Sequence, residues 1–185
     1  MSSLGNCCDY RPHVLRVHRV YKAMDMKTPF ENIVTEHGVA VLCVCRAVVG
    51  VHDADDAWSE TFLAALRSYP DLPEDANVEA WLVTIAHHKA IDMTRKQQRR
   101  DRSTTEFPER PSMETSRSMN DELWESVKEL PDKQRHAVAY HYLGGLPYID
   151  VANILGGSAE AARRSAADGI RNLRKTLKDT KTRGA

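Results

Sequence analysis

The side chains best placed for chemistry are cations set at helical spacing near the C-terminal end. Arg163, Arg164, Arg171, Arg174 and Lys175 share a stretch in which Ala162, Ala166, Ile170, Leu173 and Leu177 are apolar at intervals of three or four. A guanidinium fork pairs with phosphate oxygens and with the acceptor edge of guanine, so a basic helix face of this kind suits the major groove of a charged duplex. A second basic run, RKQQRRDR at 95–102, follows a helical segment directly. Against these stand acids gathered at Asp53, Asp55, Asp56 and Glu60. The acids crowd the first turns of an amphipathic helix instead of ringing a pocket, which argues against hydrolytic chemistry. His88 and Asp92 are four apart on one helix face but lack a third ligand at useful spacing. His136 and His141, five apart, point in different directions. No catalytic residue, metal site or cofactor is expected.

Helices must position these groups. Two patterns broken by Gly156-Gly157 form a helix-turn-helix: Ile149, Ala152, Ile154 and Leu155 give the first an apolar face, and Ser158 caps a second beginning near Ala159. Glu160 adds a negative charge at the positive end of that helix. Upstream, Ile33, His37, Val41, Val44 and Val48 line one face of a helix that stops at Gly50. Asp53 is expected to cap the next, with Ala57, Trp58, Phe62 and Leu66 pointing inward. After a Pro-containing loop, 69–77, a third helix runs from about Val78 past Met93, burying Trp81, Leu82, Ile85 and Ala86. Trp58, Trp81 and Trp124 read as core anchors. A short helix is expected over His13–Met24.

The polar, Pro- and Ser/Thr-containing stretch from Asp101 to Asn120 reads as a linker. The expected organisation is therefore all-α: an N-terminal extension, 1–28; a helical domain, 29–100; the flexible linker, 101–120; and a helix-turn-helix domain, 121–180. The 185 residues carry no net charge, yet acids predominate in 29–90 and bases at 95–102 and on the last helix. Two signs imply two surfaces, an acidic one for a basic protein and a basic one for nucleic acid. No uninterrupted apolar run approaches a membrane span and no signal-peptide core is evident, so membrane insertion is not expected and a cytoplasmic location is. Cys7-Cys8 and Cys43-x-Cys45 lack the paired spacing of a zinc site and the density of a disulfide scaffold. Cys43 and Cys45 read as small apolar helix residues.

DADDAWSETFLAAL at 53–66 followed by EAWLVTIAHHKAIDMTRKQQRR at 79–100 resembles the second conserved region of extracytoplasmic-function (ECF) sigma factors of bacterial RNA polymerase. LPDKQRHAVAYHYLGGLPYIDVANILGGSAEAARRSAADGIRNLRKTL at 130–177 resembles their fourth, and the likeness spans nearly all of 30–178. The resemblance implies an alternative sigma factor that binds core RNA polymerase, melts promoter DNA and directs transcription initiation, commonly under a dedicated anti-sigma factor. It implies that Asp53, Asp55, Asp56, Ser59, Glu60 and Phe62 dock on the polymerase. Asn77, His87, His88, Lys89, Arg95, Lys96, Arg99 and Arg100 would open and hold the minus ten element. Ser158, Glu160, Arg163, Arg164, Ala167, Asp168, Arg171 and Arg174 would meet the minus thirty-five element. The competing reading is a stand-alone helix-turn-helix regulator, which leaves the acidic helix and the basic run at 95–102 without a role.

Departures from the family pattern are local. Ser59 stands where glutamine is usual, and His87-His88 where an arginine-asparagine pair is. Pro147 replaces a Ser/Thr cap, and Asp168 sits where a basic residue is frequent. Gly169, inside a helix, costs about 1 kcal/mol relative to alanine, which implies a close approach of the backbone there.

Overall fold

The computed structural model describes residues 27–103 and 119–183. The expected helix at 13–24 and most of the expected linker lie outside them. The helices are α1 (Phe30–Val49), α2 (Ala54–Ser68), α3 (Val78–Ser103), α4 (Met119–Lys128), α5 (Asp132–Val138), α6 (Tyr148–Leu155) and α7 (Ala159–Arg183). A 3₁₀ turn, Tyr69–Asp71, follows α2, and a π-helical turn, Ala139–Leu143, extends α5. No strand occurs among the described residues. Both ends of the expected linker are helical, since α3 carries the basic run on to Ser103 and α4 begins at Met119.

The chain divides into compact units at Gly38/Val39, inside α1. In the first unit, Ile33 and His37 are the buried positions of the expected stripe. In the second, Val41, Val44 and Val48 continue it, and Cys45 is fully buried. Burial pushes the Cys45 thiol up to about 12, against a partly offsetting hydrogen bond with Thr61, so it behaves as a small apolar side chain. By length and composition α1 could cross a membrane, with a mean hydropathy of 1.5. No uninterrupted apolar run of that length is present in it, since Glu31, Glu36 and Arg46 interrupt the apolar positions.

Helix α2 packs on α3, and α5 and α6 both pack on α7. Helix α2 buries Ala54, Ala57, Thr61, Phe62 and Ala65. Leu66, expected inward, is half exposed, because continuing the stripe three residues from Phe62 selects Ala65 instead. Asp53 holds the N-cap position but makes no cap bond: its φ of −99° and ψ of 0° are helical, whereas a capping side chain needs an extended backbone. The first turn is closed by the Asp53 carbonyl alone, which accepts from Ala57 N–H at 3.0 Å. Ile149, expected on the apolar face of α6, is 58% exposed; Val151 and Ala152 are the residues buried there. Trp58, Trp81 and Trp124 are half-buried, Trp58 tilting against Phe62 and Trp81 against Tyr69.

The helix-turn-helix forms as its sequence dictates. Gly156 turns the chain at φ +70°, a conformation that suits glycine. Ser158 Oγ then accepts from Ala161 N–H at 3.2 Å, capping α7. Ala162, Ala166, Gly169 and Leu173 are buried along α7. A Cβ on Gly169 would lie 2.7 Å from Val138 Cγ2, which is the close approach that a mid-helix glycine implied.

Candidate functional site

Three groups of polar side chains emerge. On α2, Asp55, Asp56, Ser59 and Glu60 face solvent, with Asp53 just before them. Phe62 does not join them: it is 6% exposed and part of the core. Leu63 and Leu66, each 50% exposed, share the acid face at helical spacing. The sequence reading missed Leu63 and turned Leu66 inward. Their signal lay in the acid spacing, since 56, 59, 60 and 63 fall on one side of a 3.6-residue helix.

The second group lies along α3. Arg95, Lys96, Arg99 and Arg100 are exposed on its last turns. A groove between α2 and α3 sets Asp53, Asp56 and Glu60 on one wall against Lys89, Lys96 and Arg100 on the other, with Asp92 among the bases. Lys89 Nζ lies 3.3 Å from Glu60 Oε2, so the acidic and basic surfaces touch along this seam. His88 is exposed, whereas His87 is buried and its Nδ1 lies 2.6 Å from the Tyr140 hydroxyl. Burial, and then the neighbouring His88, hold His87 below the usual imidazole range. Asn77 caps α3 by accepting from Ala80 N–H at 3.1 Å, and its amide donates to Asp150 Oδ2 at 3.1 Å.

On α7, the third group, Arg163, Arg164, Ala167, Arg171 and Arg174 are exposed, as are Ser158 and Glu160 at its start. Arg171 pairs with Asp168 at 2.7 Å, which fixes its head one turn back along the helix. Arg163 rests over the Tyr148 ring, 5.5 Å from its centroid, and Tyr148 stacks on His141 at 3.9 Å. Burial and a hydrogen bond with Tyr142 push the Tyr148 hydroxyl up, so it stays protonated. The basic face expected of a groove-reading helix is therefore presented outward, with its first arginine braced by an aromatic ring.

Residues 33–100 match Sigma-70 region 2, and residues 127–175 match Sigma-70, region 4. Curated relatives similar to the chain over about seven-tenths of its length are ECF RNA polymerase sigma factors. This chain belongs to that family. It is 29% identical over 144 residues to SigK of Mycobacterium tuberculosis, covering 72% of this chain and 77% of that one. It is 30% identical over 141 residues to BldN of Streptomyces coelicolor, covering 71% and 53%. Its fold resembles the sigma factor RpoE solved with the anti-sigma factor NepR from Bartonella quintana, with a TM-score of 0.68, 20% identity and 80% of this chain covered against 96% of that one. It also resembles CnrH solved with the cytosolic domain of CnrY, with a TM-score of 0.58, 22% identity, and 90% and 99% covered. As an ECF sigma factor the protein binds core RNA polymerase, recognises and melts promoter DNA, and directs initiation.

Proposed function

We propose that this sigma factor divides its tasks among the three groups. The exposed face of α2, with Asp55, Asp56, Ser59, Glu60 and Leu63, docks on a basic coiled coil of the polymerase. Asn77, His88, Lys89 and the cations at 95–100 engage the minus ten element, trading base stacking for protein contacts at a few kcal/mol per step. On α7, Arg163 and Arg164 read base edges at minus thirty-five, while Arg171 and Arg174 hold the backbone. The observation that carries this reading is the acid–leucine face of α2 directed outward beside a helix ending in exposed cations, a combination that a stand-alone regulator does not need.

We assign region 2 to 29–100 and region 4 to 121–180, a division supported by the matches at 33–100 and 127–175. An anti-sigma factor is a fitting partner, because two solved proteins of like fold are complexes, one with an anti-sigma factor and one with the cytosolic domain of CnrY. A cytoplasmic site of action and the absence of any bond-making activity complete the proposal. The test is charge reversal: Asp56→Arg with Glu60→Arg is expected to abolish capture of core polymerase while far-UV circular dichroism stays unchanged. Retained capture would overturn the docking assignment.

A further inference from the structure

The helix-turn-helix module is seated on the very element assigned to promoter melting. Tyr140, in the π-helical turn, is fully buried with its hydroxyl on His87 of α3. His136, one turn earlier, stacks on Tyr140 at 5.7 Å and 2°, and meets His87 edge-on at 5.7 Å. Just beyond the turn, Gly144 packs so closely that a Cβ would lie 3.2 Å from Val83 and 3.3 Å from Val44. At the rim, Asp150 of α6 takes the Asn77 amide. The Asn77 side chain is thereby committed at both ends, its oxygen to the start of α3 and its nitrogen to Asp150. It contacts a splayed base only after Asp150 lets go.

We propose that His136, Tyr140 and Asp150 form an interaction surface whose partner is the chain's own promoter-melting element, and that acid opens it by charging the His87–His136 pair. The cluster favours neutral rings. Burial, then Arg135, then His87 hold the His136 imidazole down to about 4, and only Asp132 acts in the opposite sense. His87 is lowered by burial and by His88. The other titratable neighbour is Cys45 of α1, which together with burial keeps the Tyr140 hydroxyl protonated, against Arg135. Both imidazoles therefore bind protons less readily when the joint is closed than in water, where the value is about 6.5. The contribution of the neutral rings to closure is fully present above that value and is lost as pH falls from it toward 4. If opening returns His136 to water, its shift to about 4 alone lowers the closed-to-open ratio about 30-fold between pH 8 and 5. Which contacts are covered rests on the promoter reading above; that the joint opens does not.

The test is small-angle scattering of the full chain, eluted from a sizing column at pH 8, 6 and 5 at fixed ionic strength. The radius of gyration is expected to grow from pH 8 through 6 to 5 while far-UV circular dichroism holds. In the His87→Gln/His136→Gln variant the growth should disappear. No growth in the wild type, or equal growth in the variant, overturns the proposal. Should the variant fail to fold, histidine NMR on the wild type decides: two rings titrating well below the ordinary value support the latch, and ordinary titration of both overturns it. Scattering needs neither polymerase nor DNA, so intact expansion with no transcription would count against the promoter reading alone.

Discussion

Gly169→Ala isolates one packing argument in the DNA-reading module. On helix propensity alone the change should stabilise α7 by about 1 kcal/mol. The new Cβ, however, would sit 2.7 Å from Val138 Cγ2 and 3.3 Å from the Gln134 carbonyl oxygen. Val138 is 5% exposed and β-branched, so its χ1 is stiff and it yields only at a cost, and the carbonyl belongs to the backbone of α5. Overpacking of this kind costs about 1–3 kcal/mol, so a net loss of about 1 kcal/mol is expected. Val138→Ala removes the obstructing methyl and by itself costs about 1.6 kcal/mol for two lost buried carbons. In that background Gly169→Ala should become stabilising by about 1 kcal/mol, giving a coupling of about 2 kcal/mol. Urea unfolding of the four proteins of the cycle, followed by circular dichroism, measures it. If Gly169→Ala raises the midpoint equally with and without Val138, the close-approach reasoning is refuted.

The remaining predictions concern promoter reading. Alanine at Arg163 or Arg164 should flatten the preference at particular minus thirty-five positions by about 1–3 kcal/mol, because a bidentate contact to guanine is lost. Alanine at Arg174 should instead weaken all sequences alike and lower the salt slope by about one unit, as measured by titrating single-base promoter variants at several salt concentrations. Tyr148→Leu should reproduce part of the Arg163 effect, about 0.5–1 kcal/mol, and Tyr148→Phe should not, since the ring face that braces the guanidinium is kept. Equal loss in the two Tyr148 variants would remove the brace from the account.

The helix-turn-helix and the acidic helix were legible because period, turn and charge agreed locally. Ser158, Gly156 and the Ala162–Leu173 stripe all act within one or two turns. The errors arose where local patterns allow two continuations. Phe62 and Leu66 are four apart, yet the core takes Phe62 and then Ala65, leaving Leu66 on the exposed, acidic side. Ile149 is as apolar as Val151 but begins α6 on its open side. Asp53 had the right residue type for a cap and the wrong backbone. The joint between the two regions left no local trace, since His87 and Tyr140 are 53 residues apart and Asn77 and Asp150 are 73. A π-helical turn has no period that would single it out, so the burial of Tyr140 followed only from the assembled helices.

Permanganate footprinting of the reconstituted holoenzyme on promoter DNA tests the central claim most directly. Thymines around minus ten should become reactive with core polymerase plus this chain. Asn77→Ala with His88→Ala should reduce that reactivity while closed-complex binding persists. Reactivity no greater than with core polymerase alone would contradict the assignment of the chain as the promoter-opening subunit.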